Sequence, residues 1–314
     1  MVKQATILSL GAGVQSTALL LLSAEGRLPK LDACIFSDTG WEPAAVYDHL
    51  NRIDEEIAKP AGIPIYRVSS GNIRNDALDP AHRFASMPLF ILNRNGSPGM
   101  ARRQCTSEYK IKPIKRQVRR LLGGEQFDDG RVGRVPKGAF VEQWIGISTD
   151  EFHRAKDSDV SYAKHAFPLL DLGWSRADCM SYLTNRGWGH TPKSACVGCP
   201  FHGNRQWRDL RDNAPEEFAD AVAFDYAIRA GSARANADGR PLLGTAYLHP
   251  SRLPLDQAPI NRITRRELLD SNGVLFEFED DEELAGCSPF ACRADDAETP
   301  WAVDKTPDLD EEEL

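Results

Sequence analysis

In residues 7–22, ILSLGAGVQSTALLLL, a short apolar strand turns on two glycines and runs directly into an apolar helical stretch. A chain that turns this way leaves the first backbone N–H groups of the helix without intrahelical acceptors, aimed at whatever lies beyond the strand end. The same alternation continues downstream. Residues 5–10 read as a buried strand, and the helix after the turn runs to about Glu25, where Gly26 and Pro29 stop it. Strand patterns follow at 31–36 and 63–68, with a helical pattern over 44–58 between them. Residues 112–122 look helical and 140–145 look like another strand. Strands alternating with helices imply βαβ units and a parallel sheet, whose ligands bind beyond the carboxyl ends of the strands. The turns at 11–16, 37–41 and 69–72 all fall at that edge.

Beyond the first strands, residues 72–100 are loop-rich, and 123–138 form a glycine-rich surface loop or β-excursion. Residues 175–186 read as an amphipathic helix with Ser175 as its N-cap, and 215–230 as another helix. Regular patterns fade after Pro241. Three regions are expected: a nucleotide-binding part over 1–175, a cysteine-containing part over 176–293 packed on it, and an acidic, disordered tail over 294–314. No apolar run approaches the length of a membrane span, and the N-terminus lacks signal-peptide architecture, so a cytoplasmic location is expected. Seven cysteines in such a chain argue for metal or redox chemistry over a disulfide framework. The net charge of −8 conceals an asymmetry: residues 277–314 hold fifteen acids and two bases, leaving 31 acids and 36 bases in the body. A mildly basic body remains compatible with a phosphate-rich partner.

The first turn has no lysine and so is not a Walker loop; with only Gly11 and Gly13 it is not a Rossmann fingerprint either. Four further segments bear on it. FSDTGWEP (36–43) puts Asp38 and Gly40 at the nucleotide edge. RRQCTSEYKIKPIKR (102–116) sets Cys105 in a basic element; residues 102–120 carry eight Lys/Arg and one Glu, a positive field suited to a polyphosphate. WIGISTDEFHRAK (144–156) offers Gly146, Glu151 and Arg154. PKSACVGCPFHGNRQW (192–207) contains Cys196 and Cys199 in a C-x-x-C-P knuckle, a compact chelate for a soft metal or cluster. A structural zinc on this knuckle, with His190 or His202, is the other reading of the same residues.

Aligned on Ser16, the first turn G-A-G-V-Q-S resembles the S-G-G-x-D-S pyrophosphatase loop of the adenine-nucleotide α-hydrolase group. In order, the other segments resemble the D-T-G, R-K-x-x-P-L and G-x-R-x-x-E-S-x-x-R segments of the 3′-phosphoadenylylsulfate reductase family. That branch includes sulfur-insertion enzymes of DNA phosphorothioation. The likeness covers about two thirds of the chain. It implies a Rossmann-like, HUP-type α/β fold: a five-stranded, mostly parallel sheet with helices on both faces, plus an irregular cysteine-containing C-terminal region. It also implies ATP as nucleotide, with Mg²⁺, at Ser9, Gly11, Ala12, Gly13, Gln15, Ser16, Asp38, Gly40, Gly146 and Glu151. Ser16, Lys110 and Arg154 are the catalytic candidates. Cys105, Cys196 and Cys199 would ligate a 4Fe–4S cluster, with Cys179, Cys287, Cys292 or an open iron site as the fourth position.

The implied chemistry is cleavage between the α- and β-phosphates of ATP, adenylylation of an acceptor, and displacement of AMP by sulfur. Expected partners are an adenine nucleotide, a nucleic-acid or other phosphate-rich acceptor, and a sulfur donor such as a cysteine desulfurase. No membrane is expected, and a dimer is compatible. Where the family loop has Ser, Gly and Asp, this chain has Gly11, Ala12 and Gln15. Backbone donors survive these changes, but a carboxylate that could position Mg²⁺ is lost. The alternatives are a thiol-dependent reductase of adenylylated sulfate and a non-catalytic adenine-nucleotide sensor with structural zinc.

Overall fold

A computed structural model describes residues 2–83, 86–128 and 130–263; Cys287, Cys292 and the acidic stretch lie outside the described residues. Five strands form one all-parallel sheet: β1 (Val2–Ser9), β2 (Ala33–Asp38), β3 (Ile65–Ser69), β6 (Ala139–Trp144) and β7 (Ala163–Ala166), in the spatial order β3-β2-β1-β6-β7. The chain moves outward from β1 to β3 and then crosses back to lay β6 on the other side of β1. The order therefore reverses beside β1, and the crevice of such a fold opens at the carboxyl ends of β1 and β6. Those ends carry the glycine turn and Gly146.

Covering on both faces explains why the second half of β1, from Thr6, is buried throughout with no alternation. Ile7 packs on one side with Ile35, Val141 and with Ile114 and Val118 of α4 (Lys112–Leu121). Leu8 packs on the other with α1 (Val14–Ala24), α2 (Ala44–Ile53) and α6 (Arg176–Thr184). α2 continues through a π-helical turn, Asp54–Ala58, so the helical stretch ends where the sequence places it. Ser175 caps α6 in a reciprocal box with Asp178. No helix among the described residues is long and apolar enough to cross a membrane.

A second layer was less legible. The loop-rich stretch 72–100 contains α3 (Ile73–Leu78), β4 (Phe90–Leu92) and β5 (Pro98–Met100). β4 pairs antiparallel with β5 and with β8 (Thr245–Tyr247), which lies in the stretch where sequence patterns fade. Strands of three residues are too short to show a period. α7 (Asn204–Asn213), α8 (Pro215–Ala227) and α9 (Ala233–Ala237) complete this layer around Trp207, Phe224 and Leu248. Fully buried Asp225 closes it: its carboxylate accepts from the backbone N–H groups of Leu248 (2.7 Å) and Leu255 (3.1 Å) and pairs with Arg229. α5 (Pro168–Asp171) is a single turn after β7.

Two buried histidines make the fold acid-sensitive. Burial pushes His49 down to about 4, with Arg52 adding to the shift, and burial alone pushes His249 to about 4. His49 Nε2 contacts the Thr17 hydroxyl at 3.1 Å, and His249 bridges Asn204 and Ser251. A histidine held neutral in the fold is protonated first in the unfolded chain, so its stabilisation is complete above about pH 6.5 and fades towards pH 4. Denaturant unfolding across that window should show stability falling as pH falls, and His49→Gln should flatten the slope. An unchanged slope in the variant would remove His49 from the account.

Candidate functional site

The glycine turn is built by its own atoms. Ser16 Oγ accepts from the Gly11 N–H at 3.3 Å and donates to the Gly13 carbonyl at 3.2 Å. Ala12 takes a left-handed φ of 54° that a glycine would adopt freely, at an intrinsic cost of about 1 kcal/mol or more. Its methyl is fully buried in the α1 core, which offsets part of that strain. Gly13 begins α1 with no side-chain cap, and no acidic residue occupies the first turn. The helix therefore keeps its N-terminal donors and partial positive charge at the sheet edge. Gly146 packs closely on the turn: a Cβ there would lie 3.1 Å from the Ser16 nitrogen and could fit only if the turn moved by a few tenths of an ångström. Ser9 ends β1, and its buried hydroxyl accepts from Gln143 Nε2 at 2.7 Å across β1 and β6.

Gln15, standing where the resemblance has an aspartate, is clamped. Its amide donates to Glu151 Oε2 (3.2 Å) and lies 3.4 Å from Ser148 Oγ, while Arg176 Nη1 donates to its carbonyl oxygen at 3.0 Å. Glu151 in turn pairs with buried Arg154 on the 3₁₀ turn Thr149–Arg154. Burial raises the Glu151 carboxyl, with Asp150 adding and the two arginines opposing. Glu151 and Arg154 thus meet the first turn where the sequence analysis set them, and Arg176 joins them without a motif to announce it.

The second turn connects this edge to the cysteines. Asp38 Oδ1 accepts from the Gly40 N–H and the Tyr47 hydroxyl, both at 2.7 Å. Gly40, at φ 72°, packs so closely on Asn72 that a Cβ would meet its Cα at 2.9 Å. Asn72 Nδ2 donates to the Gly40 carbonyl and its Oδ1 caps α3, which locks the second and third turns together. The Thr39 hydroxyl donates to Glu42 Oε1 (2.9 Å) and lies 3.2 Å from Cys196 Sγ. The Trp41 carbonyl accepts from the Val197 N–H at 2.8 Å. The Trp41 indole lies over Gly198, where a Cβ would come within 2.0 Å of the ring. The knuckle between Cys196 and Cys199 is therefore shaped by Trp41.

From the basic element, a π-helical turn (Ser107–Ile111) presents Cys105, Thr106 and Lys110 to one cavity. The Tyr109 carbonyl accepts from Ser37 Oγ at 2.7 Å, which ties this turn to β2. The same cavity is lined by Cys196 and Cys199, so the three sulfurs singled out from the sequence converge on one space. Lys110 is buried there, 3.5 Å from Glu42 Oε1, rather than at the glycine turn. Glu42 Oε2 is buried and has no hydrogen-bond partner among the described residues. Cys179 lies elsewhere: it is fully buried between α6 and α1, and burial pushes its thiol up to about 12. It cannot complete ligation at the cavity without dismantling that core.

The segment leading to Cys196 also reaches the first turn. Ser194 Cβ lies 3.7 Å from where a Gly13 Cβ would sit, so the sulfur loop and the glycine turn share a boundary. His202 directs Nε2 to the Cys196 carbonyl oxygen (2.9 Å), and burial pushes it to about 4. His190 is exposed. Among the described residues, no group of three His, Cys, Asp or Glu side chains is spaced to hold a single metal ion. Cys105, Cys196 and Cys199 share this cavity with the buried Lys110, and thiolates are soft ligands. Sequence reasoning did not single out Glu42, Arg103, Ser194 or Phe201, although all four lie inside the quoted segments.

A search of protein-family models finds no match to this chain, and a search of curated proteins finds none.

The Trp41–Gly198 contact gives a direct check. Gly198→Ala should destabilise the protein by about 1–3 kcal/mol through overpacking. Trp41→Leu in the same chain should recover part of the loss, giving a coupling of at least about 0.5 kcal/mol in a double-mutant cycle. Strict additivity would separate the indole from the knuckle.

Proposed function

We propose that this chain is an ATP pyrophosphatase of the PP-loop type that adenylylates an acceptor and supports sulfur transfer to it, with a nucleic acid as the acceptor. The carrying observation is the convergence of Cys105 with Cys196 and Cys199 on one cavity whose knuckle segment abuts the glycine turn. The sulfurs and the phosphate-type turn are thereby neighbours, as a reaction joining nucleotide activation to sulfur chemistry requires.

In this reading the acceptor oxygen attacks the α-phosphorus of ATP and pyrophosphate leaves; sulfur then displaces AMP. The N–H groups at the start of α1 hold the pyrophosphate as charge grows on it. Ser16 keeps the turn in shape from within. Arg154, fixed by Glu151, supplies positive charge near the turn; Mg²⁺, when bound with the nucleotide, would offset phosphate charge. Cys105, Cys196 and Cys199 would hold a 4Fe–4S group, which when bound carries or activates the sulfur. Lys110 and Thr39 set the polarity around Cys196. The clamp on Gln15, in place of a loop carboxylate, favours one second reading: a sensor that binds ATP without turning it over.

Pyrophosphate release from ATP with nucleic acid present, measured beside sulfite release from an adenylylated sulfate, separates the readings. Pyrophosphate alone is expected; sulfite alone would mean the reductase, and ATP binding with neither product the sensor. Anaerobically purified protein should contain iron. Cys105→Ser, Cys196→Ser and Cys199→Ser should each lower iron content sharply, while Cys179→Ser should retain it. Stoichiometric zinc without iron would overturn the cluster assignment.

A further inference from the structure

Residues lining the cysteine cavity fall into two groups. Thr39, Met87, Lys110 and Cys196 are buried, whereas Arg103, Cys105, Cys199 and Phe201 are half-exposed and form its mouth. At that mouth the Arg103 guanidinium lies over the Phe201 ring, 5.0 Å from its centroid. A cation and an aromatic ring are thus already in contact where Cys105 and Cys199 line the cavity. Around them the wall is mostly carbon: Met87, Pro88 and Pro200 contribute no side-chain donor, and the prolines lack an N–H. A backbone phosphate seeks several converging donors, and this wall offers few. A planar ring finds both a stacking surface and an apolar edge here. The large aromatics nearby are not available for this purpose, since Trp41 and Trp207 are buried.

We propose that Phe201 and Arg103 are a stacking platform that receives an unpaired nucleobase of the acceptor strand at the mouth of the cysteine cavity. This rests on the reading of the acceptor as nucleic acid and specifies which part of it is presented. Bases within a duplex have both faces covered by neighbours, so only a splayed or single-stranded base can add a layer to this stack. Aromatic and arginine planes accept any base in this way, because every base has a π-face.

Binding of a short fluorescein-labelled single strand to the full-length, as-purified protein, followed by anisotropy at fixed salt, tests the platform. An abasic strand of equal length keeps the phosphates and removes the rings, and the matched duplex hides them. The single strand should bind about tenfold or more tighter than the abasic strand, and the duplex should resemble the abasic strand. Phe201→Leu, which keeps apolar bulk without the ring, should erase most of that difference. Arg103→Gln should reduce it and guards against misfolding of the first variant. Equal binding of abasic and ordinary strands, or no effect of both substitutions, would overturn the proposal. Displacement of the strand by ATP would assign the platform to the adenine of the nucleotide and overturn it as well. Pyrophosphate release is read separately: its absence with ring-dependent binding intact removes the proposed reaction and supports the platform.

Discussion

The five residues from Asp38 to Glu42 bear on both halves of the site. Asp38 and Gly40 form the turn at the end of β2, where a nucleotide would meet the sheet, and Gly40 is pressed against Asn72 at the end of β3. Thr39, Trp41 and Glu42 face the other way, onto Cys196, Gly198 and Lys110. A single turn therefore fixes the spacing between the sheet edge and the sulfurs. Displacing it would move both, since the Trp41 carbonyl and the Val197 N–H are bonded directly. Close packing makes such a contact discrete rather than elastic, and the cavity inherits its shape from it.

Charge in the cavity follows the same economy. Lys110 and Glu42 are both buried, and each would be expensive alone. Glu42 Oε1 lies 3.5 Å from Lys110 Nζ and also accepts from Thr39. The lysine lines the same cavity as Cys105, Cys196 and Cys199. Its position also explains why the basic element reads as a run of cations in sequence but serves two ends in space. Lys110 turns inward through the π-helical turn, whereas Lys112 and Lys115 pair at the surface with Glu108 and Asp159.

Legibility in the sequence tracked the length of the element and the directness of its chemistry. β1, α1, β2 and α2 are long enough for burial to write a period, and each lies close to its expected limits. Cys105, Cys196 and Cys199 were legible because thiols have few uses in such a spacing. The small antiparallel sheet was not, since three-residue strands carry no period and β4 finds β8 about 150 residues away. α7 was missed because NRQWRDLRDN buries little more than Trp207 and Asn204. The bond from Gln143 to the Ser9 hydroxyl was not legible, because it depends on the register of β6 beside β1. Phe201 and Arg103 were invisible as a pair because their relation exists only after the knuckle and the basic element meet.

The altered residues of the glycine turn follow a common logic. Ala12 holds a conformation natural to glycine, and Gln15 replaces an acid, yet the turn keeps an uncapped helix start. The turn keeps its shape despite the strain at Ala12, so its backbone geometry does not depend on a glycine there. The Gln15 amide is held between an acid and a base, Glu151 and Arg176, so it can neither rotate freely nor add charge. An aspartate at that position would face Glu151 across the same contact, and two carboxylates there would repel unless a cation lay between them. Glutamine relieves that repulsion and leaves Glu151 paired with Arg154. The negative charge of this edge thus resides on the 3₁₀ turn instead of the loop, where Glu151 pairs with Arg154 while Arg176 holds the Gln15 carbonyl oxygen. The uncapped start of α1 follows from the turn's geometry rather than from its sequence motif.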